Sequence, residues 1–256
     1  MLHPPDPSDL VGERRNYPPM PATTAFVRRV LARLERARGP VARPHLEDPV
    51  VCLVGTILAQ ATNDPLAERA YRSLRRRFPS WRAVLAAPRA DIEAAIAMSG
   101  LAAQKARAIQ AFLAHLVATR GRISLADLRR PDLDVDAALA DLSSIPGVGI
   151  KTAAITLMFG AGVSLCAVDT HLVRILRRLA FVPAKAAPDR AFRILRPLVP
   201  DGRGIDLHMQ LIRFGRSTCR ALAPRCWECP LREICPYPAK ATAPSSTPTP
   251  RRRASP

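Results

Sequence analysis

The stretch from Leu142 to Arg178 constrains the fold more than any other part of the chain. One helical pattern ends over residues 143–146, and a second pattern begins at Ile150. The second pattern has small and apolar residues on one face, namely Ala153, Ala154, Leu157 and Met158. Between the two patterns, Gly147 and Gly149 permit a tight hairpin with exposed backbone N–H groups.

Two helices joined by this P-G-V-G hairpin form a helix-hairpin-helix, an arrangement that suits a phosphate oxygen. The glycines let a nucleic acid backbone approach, and the N-terminus of the second helix faces that backbone. We therefore predict that Gly147, Val148 and Gly149 bind the backbone of DNA. The same residues are also compatible with an ordinary turn between two helices.

Lys151 lies in the first turn of the second predicted helix, where the positive end of the helix dipole disfavours a charged amine. With partial burial, a lysine there becomes a neutral nucleophile. The chain has 39 lysines and arginines, of which only four are lysines: Lys105, Lys151, Lys185 and Lys240. Arginine cannot be deprotonated to attack, so a lysine at this position indicates chemistry. A surface lysine that contacts a phosphate is the alternative, and Lys105 is then the next candidate nucleophile.

Asp169 precedes a helix predicted over Thr170 to Phe181. An aspartate at an N-cap is held ionised by the helix dipole and by backbone N–H groups. A neutral amine at Lys151 and a carboxylate at Asp169 would suit one cleft. On local grounds alone, Asp169 is equally well explained as a helix cap.

The segments L-x-x-I-P-G-V-G-I-K-T-A and A-V-D-T-H resemble the signature of the endonuclease III family of DNA glycosylases with lyase activity. The resemblance covers roughly residues 24 to 238, and it implies that Lys151 is the nucleophile and Asp169 its partner. It further implies that Gln60, in L-A-Q-A-T, fills the space left by a flipped base, and that Leu101 is a wedge in a G-L loop. His171, two residues after Asp169, would assist the reaction as a DNA-binding residue. Alternatively, it lies beside the helix cap as a structural neighbour.

Both DNA-inserting assignments have structural alternatives. Gln60 ends an apolar helical pattern and is also explained as a hydrogen-bonding residue at a helix C-terminus. Leu101 follows Gly100 and is also explained as a core leucine after a C-cap glycine. The chain departs from the family at Ala102, Ala103 and Ile150, and these departures affect the expected substrate range.

Four cysteines near the C-terminus, Cys219, Cys226, Cys229 and Cys235, follow the spacing C-x6-C-x2-C-x5-C. Four thiolates so close bind a soft metal or a cluster. A single C-x-x-C pair flanked by lone cysteines favours a [4Fe–4S] cluster over structural zinc, and the family resemblance implies the same cofactor. Cys52 and Cys166 lie in apolar segments and are predicted to be core residues.

The formal net charge is +18, which favours a polyanionic partner such as nucleic acid. A proteome that is basic throughout is the alternative explanation. No apolar run reaches the roughly 18 residues that span a membrane, and no secretory signal is recognisable. We therefore expect a cytoplasmic monomer that acts at a bacterial nucleoid on double-stranded DNA with damaged pyrimidines or abasic sites.

Helical periodicity without convincing strands predicts an all-α fold. By resemblance, two helical domains flank a DNA-binding cleft: a helical barrel over 41–162, and a cluster domain combining 22–40 with 163–238. Residues 1–21 and 239–256 are predicted to be a disordered extension and a disordered basic tail.

The expected activity is base excision by a bifunctional glycosylase and lyase acting on oxidised pyrimidines. The nearest alternative is an adenine- or mismatch-specific relative, although such relatives usually lack the lysine at position 151. A non-catalytic iron–sulfur protein that binds DNA is a further alternative, against which Lys151 and Asp169 together argue.

Overall fold

A computed structural model describes residues 22–42, 45–237 and 240–242 of the chain. Within these residues there is no β-strand, which confirms the all-α prediction, and no helix is long and apolar enough to cross a membrane. The predicted extension at 1–21 and most of the predicted basic tail lie outside the described residues. The described α-helices are α1 (Thr24–Arg38), α2 (Pro49–Leu58), α3 (Asp64–Arg77), α4 (Trp81–Ala86), α5 (Arg89–Ile96), α6 (Ala102–Arg120), α7 (Val135–Ser144), α8 (Ile150–Ala161), α9 (Thr170–Arg178), α10 (Pro188–Leu195) and α11 (Gly204–Ser217). Short 3-10 segments cover Ala97–Ser99, Ala126–Arg129, Arg196–Leu198 and Cys226–Glu228.

Side-chain caps begin several of the helices. The carboxylate of Asp48 accepts hydrogen bonds from the backbone of Val50 and Val51, and Pro49 occupies the first turn of α2. The hydroxyl of Ser80 caps α4 in the same way. These caps satisfy backbone N–H groups that have no partner inside the helix, so their positions follow from local sequence.

Helix α3 is capped by Asn63, and Asp64 lies in its first turn. The residues after Ser124 form only a 3-10 segment. One predicted helix end was wrong. Helix α9 ends at Arg178, short of the predicted Phe181, because Ala180 adopts a left-handed conformation with φ 53° that a helix cannot include.

Helices α2 and α8 form an antiparallel pair at the centre of the fold. A Cβ atom added to Gly160, near the end of α8, would lie 2.8 Å from the Cα of Pro49 at the start of α2. At the opposite end of the pair, Gln60 contacts the first turn of α8. The close approach at Gly160 therefore places the end of α2 beside the beginning of α8, where the predicted site residues lie.

The principal helix packing falls into two groups. One group contains α2 to α8, and the other contains α1, α9, α10 and α11. An ion pair between Arg196, after α10, and Asp136, in α7, links the two groups at the surface. A buried segment over residues 165–168 leads from α8 in the first group to α9 in the second.

Candidate active site and DNA-binding surface

The hairpin between α7 and α8 presents two exposed glycines and one buried valine. The backbone N–H of Val148 donates to the carbonyl oxygen of Ile145 at 2.9 Å, and the Val148 side chain is buried. The N–H and the side chain of Val148 are therefore both used inside the protein, and a contact between Val148 and DNA stays a prediction. Gly147 and Gly149 remain on the surface at the N-terminus of α8.

Gly147 is required by the geometry of the hairpin. Its φ of 87° lies in the left-handed region, and an added Cβ would lie 2.5 Å from the Cβ of Ala108 in α6. A side chain would therefore strain the backbone and collide with α6. This contact holds the hairpin against α6.

Gln60 lies just after α2 and reaches the hairpin with its side chain. Its Nε2 atom donates to the carbonyl oxygen of Gly147 and to the hydroxyl of Thr152, both at 3.4 Å. The residue is half-buried, so it borders the protein surface next to the hairpin. Both the hydrogen-bonding alternative and a role in DNA fit this position, since the two bonds are long enough to be exchanged.

Leu101 is exposed, which excludes the alternative of a core leucine. It retains 52% of its accessible surface and has a left-handed backbone, with φ 51° and ψ 35°. A large apolar side chain gains nothing from water, and a non-glycine residue in this region carries a conformational cost. Strain of this kind at an exposed leucine is a feature of functional loops.

Lys151 is exposed at the start of α8 rather than partly buried. Its side chain borders a groove of about 670 Å³. The groove is lined by His45, Leu46, Glu47, Cys52, Gly55, Thr56, Ala59, Lys151, Ile155 and Phe159. Burial raises the pKa of Cys52 to about 12, so its thiol stays protonated and is a poor nucleophile. Lys151 is thus the amine that this groove offers to a ligand.

The amine of Lys105, unlike that of Lys151, is not accessible to a ligand. It is buried, with an exposure of 2%, and its amine donates to two backbone carbonyl groups. Such an amine cannot approach a DNA strand without unfolding its surroundings. The prediction of Lys105 as an alternative nucleophile was therefore wrong.

Asp169 caps α9 and is half-buried at the end of the segment that connects the two helix groups. Its Oδ1 atom accepts a hydrogen bond from the backbone of Leu172 at 2.8 Å. The preceding segment is fixed because the backbone N–H of Ala167 donates to the sulfur of Met158 at 3.3 Å. The carboxylate is therefore held in one orientation by helix α9 and by its attachment to α8.

His208, in α11, is a buried polar residue that sequence reasoning missed. The side chain is buried against Phe159, with the two ring centroids 5.9 Å apart. Burial lowers the pKa of His208, and its hydrogen bond to the backbone of Ala167 opposes this shift. The ring contact joins α11 to α8, the helix that carries Lys151 in its first turn. The available signal was a lone histidine on the apolar face of α11.

His171 is half-buried. Its Nδ1 atom lies 3.2 Å from the Nη2 atom of Arg174, and its Cβ lies 3.0 Å from the position of a Cβ added to Gly215. The residue therefore lies where α9 and α11 pack closely. A contact between His171 and DNA stays a prediction, and its neighbours favour the structural alternative.

The four predicted cluster cysteines line one small apolar cavity of about 30 Å³, together with Leu179, Phe214 and Tyr237 among others. Burial, together with the charges that the other three thiolates would carry, raises the pKa of Cys229 to about 11. Within the described residues, no group of three or more metal-binding side chains is arranged closely enough to hold an ion. The thiols therefore share a cavity without a preformed coordination geometry, and four soft donors around one cavity fit a cluster in their chemistry.

Two arginines of α9 hold the cysteine loop. Arg174 donates from Nη2 to the carbonyl oxygens of Gly215, at 3.0 Å, and of Cys219, at 2.9 Å. Arg178 donates from Nη1 to the sulfur of Cys219 at 3.3 Å and to the carbonyl oxygen of Arg220 at 2.7 Å. The guanidinium groups of Arg174 and Arg178 are therefore engaged inside the protein.

The family of the chain follows from sequence comparison. Residues 54–201 match the model of the "HhH-GPD superfamily base excision DNA repair protein". Endonuclease III of Thermotoga maritima is 33% identical over 196 residues, which cover 76% of this chain and 86% of the relative. A putative DNA glycosylase of Arabidopsis thaliana is 37% identical over 170 residues, which cover 66% of this chain but only 57% of the relative.

The fold of the chain is similar to that of solved DNA complexes. A structure described as a trapped endonuclease III–DNA covalent intermediate superposes with a TM-score of 0.70 and 27% identity, covering 84% of this chain and 96% of that one. The chain therefore belongs to the HhH-GPD superfamily of base excision DNA repair proteins and, within it, to the endonuclease III family. Its class of activity is that of a DNA glycosylase.

Proposed function

We propose that the protein is a bifunctional glycosylase and lyase that removes oxidised pyrimidines from double-stranded DNA and then cleaves the strand. The observation that carries the proposal is the exposed Lys151 amine at the start of α8, bordering a groove next to the Gly147–Gly149 hairpin. A covalent intermediate with DNA is described for a structural relative. An amine nucleophile in this position supports the same route here.

The reaction begins when a damaged base leaves the helix stack and enters the groove. The amine nitrogen of Lys151 bonds to the anomeric carbon of the sugar while the bond to the base breaks. The carboxylate of Asp169 stabilises the positive charge that develops on the sugar, takes the proton that the attached nitrogen loses and passes it to the departing base. The sugar ring then opens to a Schiff base, and its ring oxygen takes a proton from solvent. In the β-elimination that follows, C2′ loses a proton to solvent and the bond between C3′ and the oxygen of the 3′ phosphate breaks. The surface amides at Gly147 and Gly149 hold a phosphate of the same strand.

The helix grouping supports a two-domain arrangement. We propose a barrel domain over 41–162 and a second domain formed by 22–40 with 163–238, so that Lys151 and Asp169 face each other across their boundary. Cys219, Cys226, Cys229 and Cys235 would hold a [4Fe–4S] cluster in the second domain. When bound, such a cluster cross-links the loop covalently, and Arg174 and Arg178 orient that loop without it.

Borohydride trapping on duplex DNA with an abasic site tests the nucleophile. The wild-type protein should form a covalent complex, and Lys151→Gln, which keeps a polar end but no attacking amine, should form none while still binding DNA. The matched control is Lys185→Gln, because Lys185 is also exposed but lies far along the chain from the groove. Trapping by Lys151→Gln at the wild-type level would disprove the assignment.

Substrate class is tested separately by single-turnover base release. A monomer acting on nucleoid DNA by this mechanism should release oxidised pyrimidines from duplex DNA and should leave a mispaired adenine in place. The reverse preference would favour the mismatch-specific alternative and would contradict the proposal.

A further inference from the structure

One buried ammonium group joins two loops that are distant in sequence. Lys105, in the first turns of α6, has an exposure of 2%, and its Nζ atom donates to the carbonyl oxygen of Leu58 at 2.8 Å and to that of Ser99 at 2.7 Å. The two bonds span 47 and 6 residues of sequence, respectively. A buried charge is costly unless it is hydrogen-bonded, and here the two carbonyl groups supply the hydrogen bonds.

The two carbonyl groups occupy equivalent positions in their segments. Leu58 is the last residue of α2 and precedes Gln60 by two positions, and Ser99 is the last residue of a 3-10 segment and precedes Leu101 by two positions. Carbonyl groups at helix ends lack partners within the helix, and a cation there is stabilised by the helix dipole. Lys105 therefore satisfies the ends of both segments with a single group.

Both segments then turn through a strained residue. Leu101 has φ 51°, and Ala61, directly after Gln60, has φ 50°. Two non-glycine residues in the left-handed region persist only where the surrounding structure fixes them. The ammonium of Lys105 lies between the two turns and provides such a fixed point.

We propose that Lys105 is a positioning residue that sets the separation between Gln60 and Leu101, so that both side chains enter the duplex together when a base is extruded. This inference rests on the proposed function, which assigns those two side chains to the extrusion step. Gln60 is also bonded to Gly147 and Thr152, so the same connection reaches from the Leu101 turn through Lys105 to the hairpin.

Loss of the Lys105 ammonium should affect paired lesions more than abasic sites. Extruding a paired base breaks its pairing and stacking, and the inserting side chains must offset that cost in a defined geometry. An abasic site has no base to extrude and depends much less on that geometry. Loss of the ammonium should therefore slow base release from paired lesions while strand cleavage at abasic sites continues.

The test compares Lys105→Met with wild type in single-turnover assays on two duplexes, one with a paired oxidised pyrimidine and one with an abasic site. Methionine has a similar length and fills the same space but donates no hydrogen bond. We expect base release to fall by about tenfold or more and abasic cleavage to change by less than about twofold. Lys105→Arg, which keeps the charge and the donors, should recover part of the loss, which a role in packing alone would not predict.

Leu101→Ala provides the internal standard, since it removes the wedge directly. The double variant Lys105→Met with Leu101→Ala should be no slower on the paired lesion than the slower single variant, because both changes remove one function. Additive losses, or equal losses on both duplexes, would overturn the inference. If Lys105→Met does not fold by circular dichroism, Lys105→Gln replaces it. Its shorter, uncharged amide should still slow base release from the paired lesion more than cleavage at the abasic site, by a smaller factor than Lys105→Met, and equal losses on both duplexes would overturn the inference.

Failure of the inference is distinguishable from failure of the proposed function. The covalent trapping at Lys151 reports the proposed chemistry whatever the state of the turns. Base release from the paired lesion reports the positioning role, and the comparison of Lys105→Met with Lys105→Arg on that duplex needs no lyase activity.

Discussion

The Nδ1 atom of His208 lies 2.8 Å from the carbonyl oxygen of Ala167, two residues before Asp169. Because the carbonyl can only accept, a neutral imidazole here carries its proton on Nδ1. The bond ties α11 to the segment that leads into Asp169. The buried side chain of His208 thus supports the position of Asp169 through this hydrogen bond.

The first prediction concerns pH and stability. Burial lowers the pKa of His208 below its ordinary value, so below about pH 6.5 the unfolded chain binds a proton that the folded protein resists. The free energy of unfolding should therefore fall as the pH decreases from about 6.5, with a slope of at most about 1.4 kcal/mol per pH unit from this group. Urea unfolding between pH 5 and 8 measures it.

His208→Gln should remove that slope, and the exposed His45 provides the control, since His45→Gln should leave it unchanged. A slope that persists in His208→Gln would mean that another group titrates in this range.

The second prediction separates the two roles of Asp169. Asparagine caps a helix about as well as aspartate, so Asp169→Asn should keep the melting temperature within a few degrees. Base release should fall by about 10² to 10³, because the developing positive charge loses its stabiliser. Asp134→Asn changes the cap of α7 in the same way and should affect neither quantity. A melted Asp169→Asn protein whose folded fraction has wild-type activity would make Asp169 a cap only.

The third prediction contrasts the two surface glycines of the hairpin. Gly147→Ala should destabilise the protein by about 1–3 kcal/mol, since it combines a left-handed residue with a collision against Ala108. Gly149→Ala has no atom within 4 Å of its added Cβ and φ −86°, so it should cost under about 1 kcal/mol. Thermal unfolding compares them, and equal costs would show that the hairpin relaxes away from α6.

The fourth prediction concerns the cysteine cavity. Purified protein should absorb broadly in the visible range and contain about four irons, as a [4Fe–4S] cluster requires. Cys226→Ser should lose the colour and the iron, whereas Cys166→Ala, which changes a buried cysteine outside the cavity, should keep both. Folded protein with zinc and no iron would contradict the cluster.

Sequence patterns predicted the parts of this molecule that depend on neighbouring residues. Asp48, Ser80 and Asp169 act on backbone groups two or three positions away, so a local pattern contains both partners. Lys151 and the hairpin glycines were likewise recognisable because they lie in one short segment. The all-α class followed from helical periodicity, which is also local.

The contacts that sequence reasoning missed join distant residues. Lys105 binds Leu58, Arg174 binds Cys219 and His208 binds Ala167, at sequence separations of 47, 45 and 41 residues. Each was taken for something else or overlooked, because a lysine, an arginine or a histidine gives no local sign of the carbonyl group that it will meet. Their partners are fixed only by tertiary packing.

The contact between Gly160 and Pro49 has a mechanical consequence. It sets the register of α2 against α8 at one end of the pair, while Gln60 and Lys151 lie about 15 Å away at the other end, given ten residues of helix. The two helices form a rigid pair, so a larger residue at position 160 would shift one helix along the other. Such a shift would change the distance between the space vacated by the base and the amine of Lys151. The substituted residue at position 160 would itself contact neither the base nor the amine.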